Sequence, residues 1–222
     1  MTGMLASVKN LAEAELVLNA NVDIIDLKQP EFGALGALDV ESVAEIVSKI
    51  NGRNTISATI GDLPMDANII FNAVCEMAKT GVDFVKIGFF PEGDWLSIVQ
   101  KLADLTEIRL IAVLFADTKP DFSIISEFKK ANFAGVMLDT MDKKKGSLSD
   151  VMEYEMIAEF VTLAKTQNLI CGLAGSLRLE NIAKLSTLQP DYLGFRGALC
   201  VKNSRVDAID VNALKAIRQT LK

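Results

Sequence analysis

The sequence contains no histidine among its 222 residues. Imidazole is the side-chain group whose ordinary pKa lies closest to neutral pH, and it is the base of Ser-His and Cys-His nucleophile pairs. Its absence excludes those pairs, so acid–base chemistry near pH 7 must use amines or carboxylates whose pKa values are shifted. A zinc or iron site would also need an unusual ligand set. We therefore predict no metal centre and no cofactor, with room for at most a weakly held magnesium ion.

Cysteine, long apolar runs and positive charge are also scarce. The three cysteines, Cys75, Cys171 and Cys200, are far apart in apolar segments, which favours reduced thiols over disulfides. No apolar run approaches the roughly 18 residues of a membrane span, and the N-terminus has no signal-peptide pattern. The net charge of −6 and the pI near 4.8 give no attraction for nucleic acid. These features predict a soluble cytoplasmic protein whose partner is neither a membrane nor nucleic acid.

Short apolar segments alternate with segments of helical periodicity along the whole chain. We predict strands near residues 4–6, 22–27, 55–59, 83–88, 109–115, 134–138, 169–173 and 191–195. Helices are predicted near 8–20, 40–50, 67–80, 94–105, 122–131, 150–167, 178–187 and 208–221. Strands that are apolar at consecutive positions are typical of a parallel sheet covered on both faces. Eight such units predict a (β/α)₈ TIM barrel, and a doubly wound open sheet is the alternative.

No linker or low-complexity segment divides the chain, so we predict a single catalytic domain over residues 1–222. Asp23, Asp83 and Asp191 each stand where a helix has ended and the next strand begins. That position lies at the end of the barrel opposite the ligand-binding mouth, and we interpret these aspartates as structural.

Two predicted strands lead into a lysine. Lys28 follows the second strand and Lys86 lies on the fourth. Burial at the mouth of a barrel lowers the pKa of an amine and allows it to form a Schiff base with an aldehyde or ketone. A single lysine here is more often a solvated amine whose stem covers the strand. Two lysines at matched positions favour carbonyl chemistry.

Asp26 lies two residues before Lys28, so the two side chains leave the same face of the strand. With Lys28 pointing into the mouth, Asp26 points inward beneath it and can hold the amine or carry its proton. The alternative is an ion pair that only satisfies Lys28. Asp139 and Lys143 form a second acid–base candidate after the sixth strand, although the run from Lys143 to Lys145 also fits a solvated loop.

The ends of the seventh and eighth strands are rich in small residues. Gly175 and Ser176 precede a helix, and Arg196 and Gly197 follow the eighth strand. Barrels of this kind often bind phosphate here, through backbone N–H groups that glycine leaves accessible. The alternative is that the glycines serve tight turns and that Ser176 caps the helix. Ser57, at the end of the third strand, is a further candidate for substrate binding.

The chain resembles the (5-formylfuran-3-yl)methyl phosphate synthase family, the furan-forming enzymes of methanofuran biosynthesis. The matching segments are 23–28, 33–37, 57–64, 83–88, 137–140, 173–176 and 196–198. The resemblance implies a lyase that condenses two molecules of glyceraldehyde 3-phosphate, with loss of phosphate and water, to close an aromatic furan. It implies Lys28 as the Schiff-base lysine, Lys86 as a proton-transfer residue, and Asp26, Asp139 and Lys143 as supporting groups.

The sequence departs from the family pattern at Phe32 and Ala34, on either side of Gly33, where the family more often has Glu directly before this glycine and can have Ser after it. Two other functions fit the residues. One is a class I aldolase or phosphosugar isomerase, and the other is a non-catalytic phosphometabolite-binding barrel. Each would take a triose phosphate or similar small molecule as its ligand, and the sequence leaves a homo-oligomer open.

Overall fold

The computed structural model describes residues 2–221. Its eight strands pair in parallel, each with its neighbours in the chain, and β1 pairs with β8 to close the barrel. The strands are β1 (Gly3–Val8), β2 (Ile24–Leu27), β3 (Thr55–Thr59), β4 (Phe84–Gly88), β5 (Leu110–Phe115), β6 (Gly135–Asp139), β7 (Ile170–Leu173) and β8 (Tyr192–Phe195). The predicted (β/α)₈ barrel is confirmed, and the open sheet is excluded.

Nine α-helices surround the barrel within the described range. They are α1 (Leu11–Asn19), α2 (Val40–Ile50), α3 (Ala67–Ala78), α4 (Trp95–Leu102), α5 (Ile125–Lys130), α6 (Leu148–Val151), α7 (Tyr154–Thr166), α8 (Leu179–Ser186) and α9 (Val211–Thr220). The prediction of one helix over 150–167 was wrong, because α6 ends at Val151 and α7 begins only at Tyr154. Met152 has extended backbone angles (φ −141°, ψ 135°) and its side chain is buried, which redirects the chain between the two helices.

The hydrophobic core has two parts. The larger part lies between the outer face of the barrel and the helices, where for example Val85 and Leu138 are buried. The smaller part fills the interior of the barrel with residues such as Leu5, Phe84 and Met137. Apolar side chains therefore fill the lower interior, and the polar groups of the site lie above them at the carboxyl ends of the strands.

The three aspartates that precede strands are structural, as predicted. The carboxylate of Asp23 accepts a hydrogen bond from the backbone N–H of Met4 at 2.7 Å. Asp83 accepts from Ile56 at 2.7 Å, and Asp191 accepts from Cys171 at 2.7 Å. Each carboxylate therefore joins the beginning of its own strand to the beginning of a neighbouring one. Between residues 2 and 221, no helix has the length and apolar character needed to cross a membrane.

Candidate active site

A cavity of about 200 Å³ opens at the carboxyl ends of the strands. Its lining combines four groups that the sequence singled out: amines, a carboxylate, small residues of the β7 and β8 loops, and a guanidinium. The lining residues are Leu5, Ser7, Lys28, Lys86, Met137, Asp139, Lys143, Ala174, Gly175, Ser176, Arg178, Gly194, Phe195, Arg196, Gly197, Asn203 and Arg205. The barrel thus brings together residues that lie up to 200 positions apart in the chain, from Leu5 to Arg205.

Lys28 follows β2 directly and turns into this cavity, with 6% of its surface exposed. Burial lowers the pKa of Lys28 to about 7, and the nearby positive charges of Lys143 and Lys86 act in the same direction. The negative charges of Asp139 and Asp26 oppose that shift and only partly offset it. Within residues 2–221 the amine takes part in no hydrogen bond or salt bridge, because the carboxylates of Asp26 and Asp139 pair with Lys86 and Lys143. Near pH 7 a large fraction of it is therefore neutral and free to act as a nucleophile.

Asp26 is completely buried beneath Lys28, as predicted, but its ion-pair partner is Lys86. Lys86 Nζ donates to Asp26 Oδ1 at 2.9 Å, and the hydroxyls of Ser7 and Ser57 donate to the same carboxylate at 2.8 and 2.7 Å. Burial alone would raise the pKa of Asp26, yet Lys86, Lys28 and the hydrogen bonds lower it below its ordinary value. The expectation that Asp26 pairs with Lys28, whether to hold its amine or only to satisfy its charge, was therefore wrong, and a role of Asp26 in proton transfer stays a prediction.

Asp139 forms the second ion pair at the mouth. Lys143 Nζ donates to Asp139 Oδ1 at 2.6 Å and to the carbonyl oxygen of Thr140 at 2.5 Å. Burial would raise the pKa of Asp139, but Lys143, Lys28 and the hydrogen bonds lower it to about 2. Of the three consecutive lysines, Lys143 is the one that enters the site, whereas Lys145 lies 3.9 Å from Asp117 and is mostly exposed.

The loops after β7 and β8 line the cavity with four residues whose backbone N–H groups are free of backbone bonds within residues 2–221. The N–H groups of Gly175, Ser176, Arg196 and Gly197 donate to no backbone acceptor in the described range. Gly175 (φ 106°) and Ser176 (φ 47°) both adopt left-handed backbone conformations. A Cβ atom added to Gly175 would lie 2.8 Å from Thr140 Cγ2. The turn therefore requires glycine at this position, and it leaves these amides available for an anion.

The structure assigns Arg196 a different role from the phosphate contact that the sequence suggested. Its guanidinium forms a two-point ion pair with Glu13, with Nη1 2.5 Å from Oε2 and Nη2 3.3 Å from Oε1. It also donates to the carbonyl oxygens of Ser7, Arg205 and Asp207. All five N–H groups are then occupied. The side chain of Arg196 fastens the β1 and β8 loops and retains no donor for phosphate.

Ser57 also differs from the prediction, since its hydroxyl donates to Asp26 and the residue lies outside the cavity lining.

Conversely, sequence reasoning missed Arg178 and Arg205, which both line the cavity. The sequence feature that could have identified them is a positively charged residue in the loop after the seventh strand and another in the loop after the eighth. The Arg205 guanidinium donates to the carbonyl oxygen of Gly33 at 2.8 Å, which connects the β8 loop to the β2 loop.

One further carboxylate, that of Asp62, holds the loop after β2 at the mouth. Asp62 accepts hydrogen bonds from the backbone N–H groups of Ala34 and Leu35, both at 2.7 Å. The small-residue loop after β2 is thus held through its backbone, so its conformation does not depend on a side-chain hydroxyl at Ala34. Phe32, the other departure from the family pattern, is 70% exposed.

In the part of the chain that the structure describes, no cluster of three or more potential metal-ligating residues is present.

Fold and site together define a (β/α)₈ barrel with a buried, unpaired amine at its mouth, flanked by two lysine–carboxylate pairs. The 4-HFC-P synthase family matches residues 4–218. A protein of Methylorubrum extorquens, provisionally named (5-formylfuran-3-yl)methyl phosphate synthase, is 40% identical over 97% of this chain and 91% of its own. The (5-formylfuran-3-yl)methyl phosphate synthase of Methanocaldococcus jannaschii is 31% identical over 96% of this chain and 98% of its own. The chain belongs to the 4-HFC-P synthase family.

Among solved structures, phosphoribosyl anthranilate isomerase from Thermotoga maritima is similar in fold, with a TM-score of 0.72 and 13% sequence identity over 100% of this chain and 98% of its own. At this identity the likeness concerns the barrel alone.

Proposed function

We propose that this protein is an enzyme that condenses two molecules of glyceraldehyde 3-phosphate into (5-formylfuran-3-yl)methyl phosphate, through a Schiff base on Lys28. The observation that carries the proposal is the amine of Lys28, which lies in the cavity without a hydrogen-bond partner among residues 2–221 and with its pKa lowered to about 7. The family relationship supports the same product, because relatives over nearly the full length carry that name.

The chemistry that this site would perform begins with addition of the Lys28 amine to a triose carbonyl. Loss of water gives an iminium, and removal of a proton from the adjacent carbon gives an enamine whose electrons expel the phosphate of the same triose as inorganic phosphate. The enol that remains attacks the ketone carbon of the second triose, which reacts as the ketone isomer of glyceraldehyde 3-phosphate and keeps its phosphate. Ring closure by the free hydroxyl of that ketone, loss of two water molecules and hydrolysis of the imine give the furan aldehyde and release Lys28. The conversion of two trioses to the furan aldehyde is redox-neutral, so it needs no oxidant.

The two ion pairs are suited to the proton transfers. Lys86 lies on the cavity wall with Asp26 behind it, and Asp139 faces the cavity with Lys143 beside it. In this proposal Lys86 exchanges protons with the enamine carbon, and Asp26 holds Lys86 in place. Asp139 and Lys143 serve the oxygen atoms that leave as water. Each pair combines a donor with an acceptor, so a proton can be given and later recovered.

Charge and backbone geometry support phosphorylated substrates. Two triose phosphates bring about four negative charges, while Lys28, Lys86 and Lys143 surround the cavity. The free N–H groups of Gly175, Ser176, Arg196 and Gly197 form the proposed phosphate cradle. A triose phosphate pool places the enzyme in the cytoplasm, where it would supply a methanofuran-type cofactor. Its oligomeric state stays open, a homo-oligomer included.

Two measurements on the same protein test the proposal. Incubation with glyceraldehyde 3-phosphate should produce the ultraviolet absorbance of a conjugated furan aldehyde. Borohydride reduction during turnover should leave a triose-derived adduct that peptide mass spectrometry locates at Lys28. Lys28→Arg keeps the positive charge but forms no imine, so both signals should disappear. An adduct without the chromophore would indicate an aldolase or isomerase, and the absence of both signals from the wild-type protein would indicate a non-catalytic binding barrel.

A further inference from the structure

Arg178 carries a buried guanidinium nitrogen that has no hydrogen-bond partner in the part of the chain that the structure describes. Nη1 is inaccessible to solvent, and no acceptor in residues 2–221 receives a hydrogen bond from it. A buried charged donor without an acceptor is costly, and it is uncommon in folded proteins. The contrast with Arg196 is direct, since all donors of that side chain are used by the protein. The Nη1 group of Arg178 can therefore donate a hydrogen bond to an acceptor on a ligand.

The unpartnered nitrogen lies beside the proposed phosphate cradle. Arg178 lines the cavity together with Gly175, Ser176 and Gly197. A Cβ atom placed on Gly197 would be 3.9 Å from Arg178 Nη1, so the guanidinium lies close to this glycine and its free N–H group. Gly175 and Ser176 approach the same part of the cavity from the β7 loop. Backbone donors from two loops and a side-chain cation thus converge in one region, which is the arrangement that recognises a phosphate.

The position of Arg178 in its helix is a second, independent observation. It is the residue that precedes the first turn of α8, and its backbone N–H donates to the side-chain oxygen of Asn181 at 2.8 Å. Ser, Asp or Asn would stabilise the helix here by accepting a hydrogen bond from the first turn, whereas a guanidinium has no acceptor. A positive charge is also unfavourable next to the positive end of a helix dipole. Helix stability therefore does not account for arginine at this position, and a bound anion does.

We propose that Arg178 is a substrate-binding residue that holds the phosphate group of the triose whose carbonyl reacts with Lys28. The identity of the ligand as a triose phosphate rests on the proposed function. The guanidinium supplies the positive charge of the phosphate site, and the cradle amides set the orientation of the phosphate. The side chain of Arg196 does not contact the phosphate in this proposal. It fastens the β8 loop, which carries two of those amides.

Inorganic phosphate is the probe that tests Arg178 without any catalytic step. Isothermal titration calorimetry on the wild-type protein should show a phosphate site, and Arg178→Gln should weaken it about 10- to 100-fold, the expected loss for one charge-assisted contact. Arg178→Lys, which keeps the charge as a single donor, should fall between the two. Arg53→Gln is the matched control, because the Arg53 guanidinium donates to carbonyl oxygens at the end of α2, at the opposite end of the barrel. That control should bind phosphate as the wild type does.

Thermal unfolding separates a binding role from a structural one. Without phosphate, Arg178→Gln should be at least as stable as the wild type, because it removes a buried donor that has no partner. With saturating phosphate only the wild type should gain stability. A variant that is less stable in the absence of phosphate, equal phosphate affinity in both proteins, or a wild type that binds no phosphate would each overturn the inference.

Adduct formation links the inference to the reaction. Half-saturation of borohydride trapping by glyceraldehyde 3-phosphate should shift about 10- to 100-fold upward in Arg178→Gln, while trapping by unphosphorylated glyceraldehyde should stay unchanged. An equal effect on both aldehydes would contradict a phosphate-specific role. If the wild type forms no adduct with either aldehyde, the proposed function fails, and the calorimetric result still decides whether Arg178 binds phosphate.

Discussion

Lys86 Nζ donates to Asp26 Oδ1 across 2.9 Å in the interior of the barrel, although β3 lies between the strands that carry the two residues. Ser57 on β3 donates to the same carboxylate and so completes the connection across three strands. Because Asp26 is held by Lys86 and two hydroxyls, it does not form an ion pair with Lys28. The pairing therefore leaves Lys28 as the one amine of the cavity lining that is free of a carboxylate contact within residues 2–221.

The Asp26–Lys86 pair should behave as one energetic unit. Asp26→Asn leaves the Lys86 ammonium buried without its counter-charge, and Lys86→Met leaves the Asp26 carboxylate in the same condition. We expect each single change to lower the free energy of unfolding by about 3–5 kcal/mol, and the double variant to lose clearly less than the sum. Urea unfolding of the four proteins measures this coupling. Strictly additive losses would show that the pair is not coupled.

The lowered pKa of Lys28 predicts how imine formation depends on pH. Only the neutral amine attacks a carbonyl, so the rate of trapping should rise with a midpoint near pH 7, the pKa of this group, well below the ordinary value of 10.5. Unphosphorylated glyceraldehyde is the suitable substrate because it does not itself titrate in this range. Asp139→Asn should move the midpoint lower, since the Asp139 charge raises the pKa of Lys28. A midpoint near 10 would contradict the proposed nucleophile.

Burial of Lys28 should also reduce stability in a pH-dependent manner. Between about pH 7 and 10.5 the unfolded chain binds the lysine proton more tightly than the folded protein does. The contribution of Lys28 to the free energy of unfolding therefore increases with pH over this range. Below pH 7 the full penalty applies. Lys28→Met should therefore be more stable than the wild type by a few kcal/mol at pH 6, and the gain should shrink toward pH 10.5. Paired urea titrations at both pH values measure the difference, and a gain independent of pH would refute this account.

Arg196 should act on stability through Glu13. Glu13→Gln leaves a buried guanidinium without its carboxylate, and we expect a loss of about 3–5 kcal/mol in the free energy of unfolding. Adding Arg196→Met to that variant should cost little more, because the charge left unpaired is then removed. Urea unfolding of both proteins provides the values. If Arg196→Met alone left stability unchanged but abolished phosphate binding, the direct phosphate contact suggested by the sequence would be correct.

Gly175 should be intolerant of a side chain. Gly175→Ala places a Cβ atom 2.8 Å from Thr140 Cγ2 on a backbone with φ 106°, so both contact and conformation oppose it. We expect a loss of about 1–3 kcal/mol and weaker binding of inorganic phosphate, since the adjacent amides must shift. Gly52→Ala is the matched control, because Gly52 has φ 69° but no atom within 4 Å of the added Cβ. Equal melting temperatures for the two variants would show that contact with Thr140 is unimportant.

The sequence by itself determined the barrel and the identity of most of the polar residues at its mouth. Consecutive apolar positions between helical segments identify buried parallel strands, and the carboxyl ends of such strands must meet. Lys28, Asp26 and Asp139 could be recognised in this way because their positions depend only on the strand that carries them. Asp23, Asp83 and Asp191 could be interpreted as structural for the same reason, since each stands at the start of its strand.

The tertiary structure alone decided which charged groups pair. Asp26 is two residues from Lys28 but forms its ion pair with Lys86, 60 positions away, because alternate strands of a closed barrel point their side chains into the same layer of its interior. The sequence suggested that Arg196 binds phosphate. In the fold its guanidinium instead donates to Glu13, 183 residues earlier in the chain. Arg178 remained unnoticed because the sequence does not show whether the donors of a loop arginine find acceptors. Only packing shows that its Nη1 is buried near Gly197 and has no hydrogen-bond partner in residues 2–221, since hydrogen-bond satisfaction depends on atoms from distant segments.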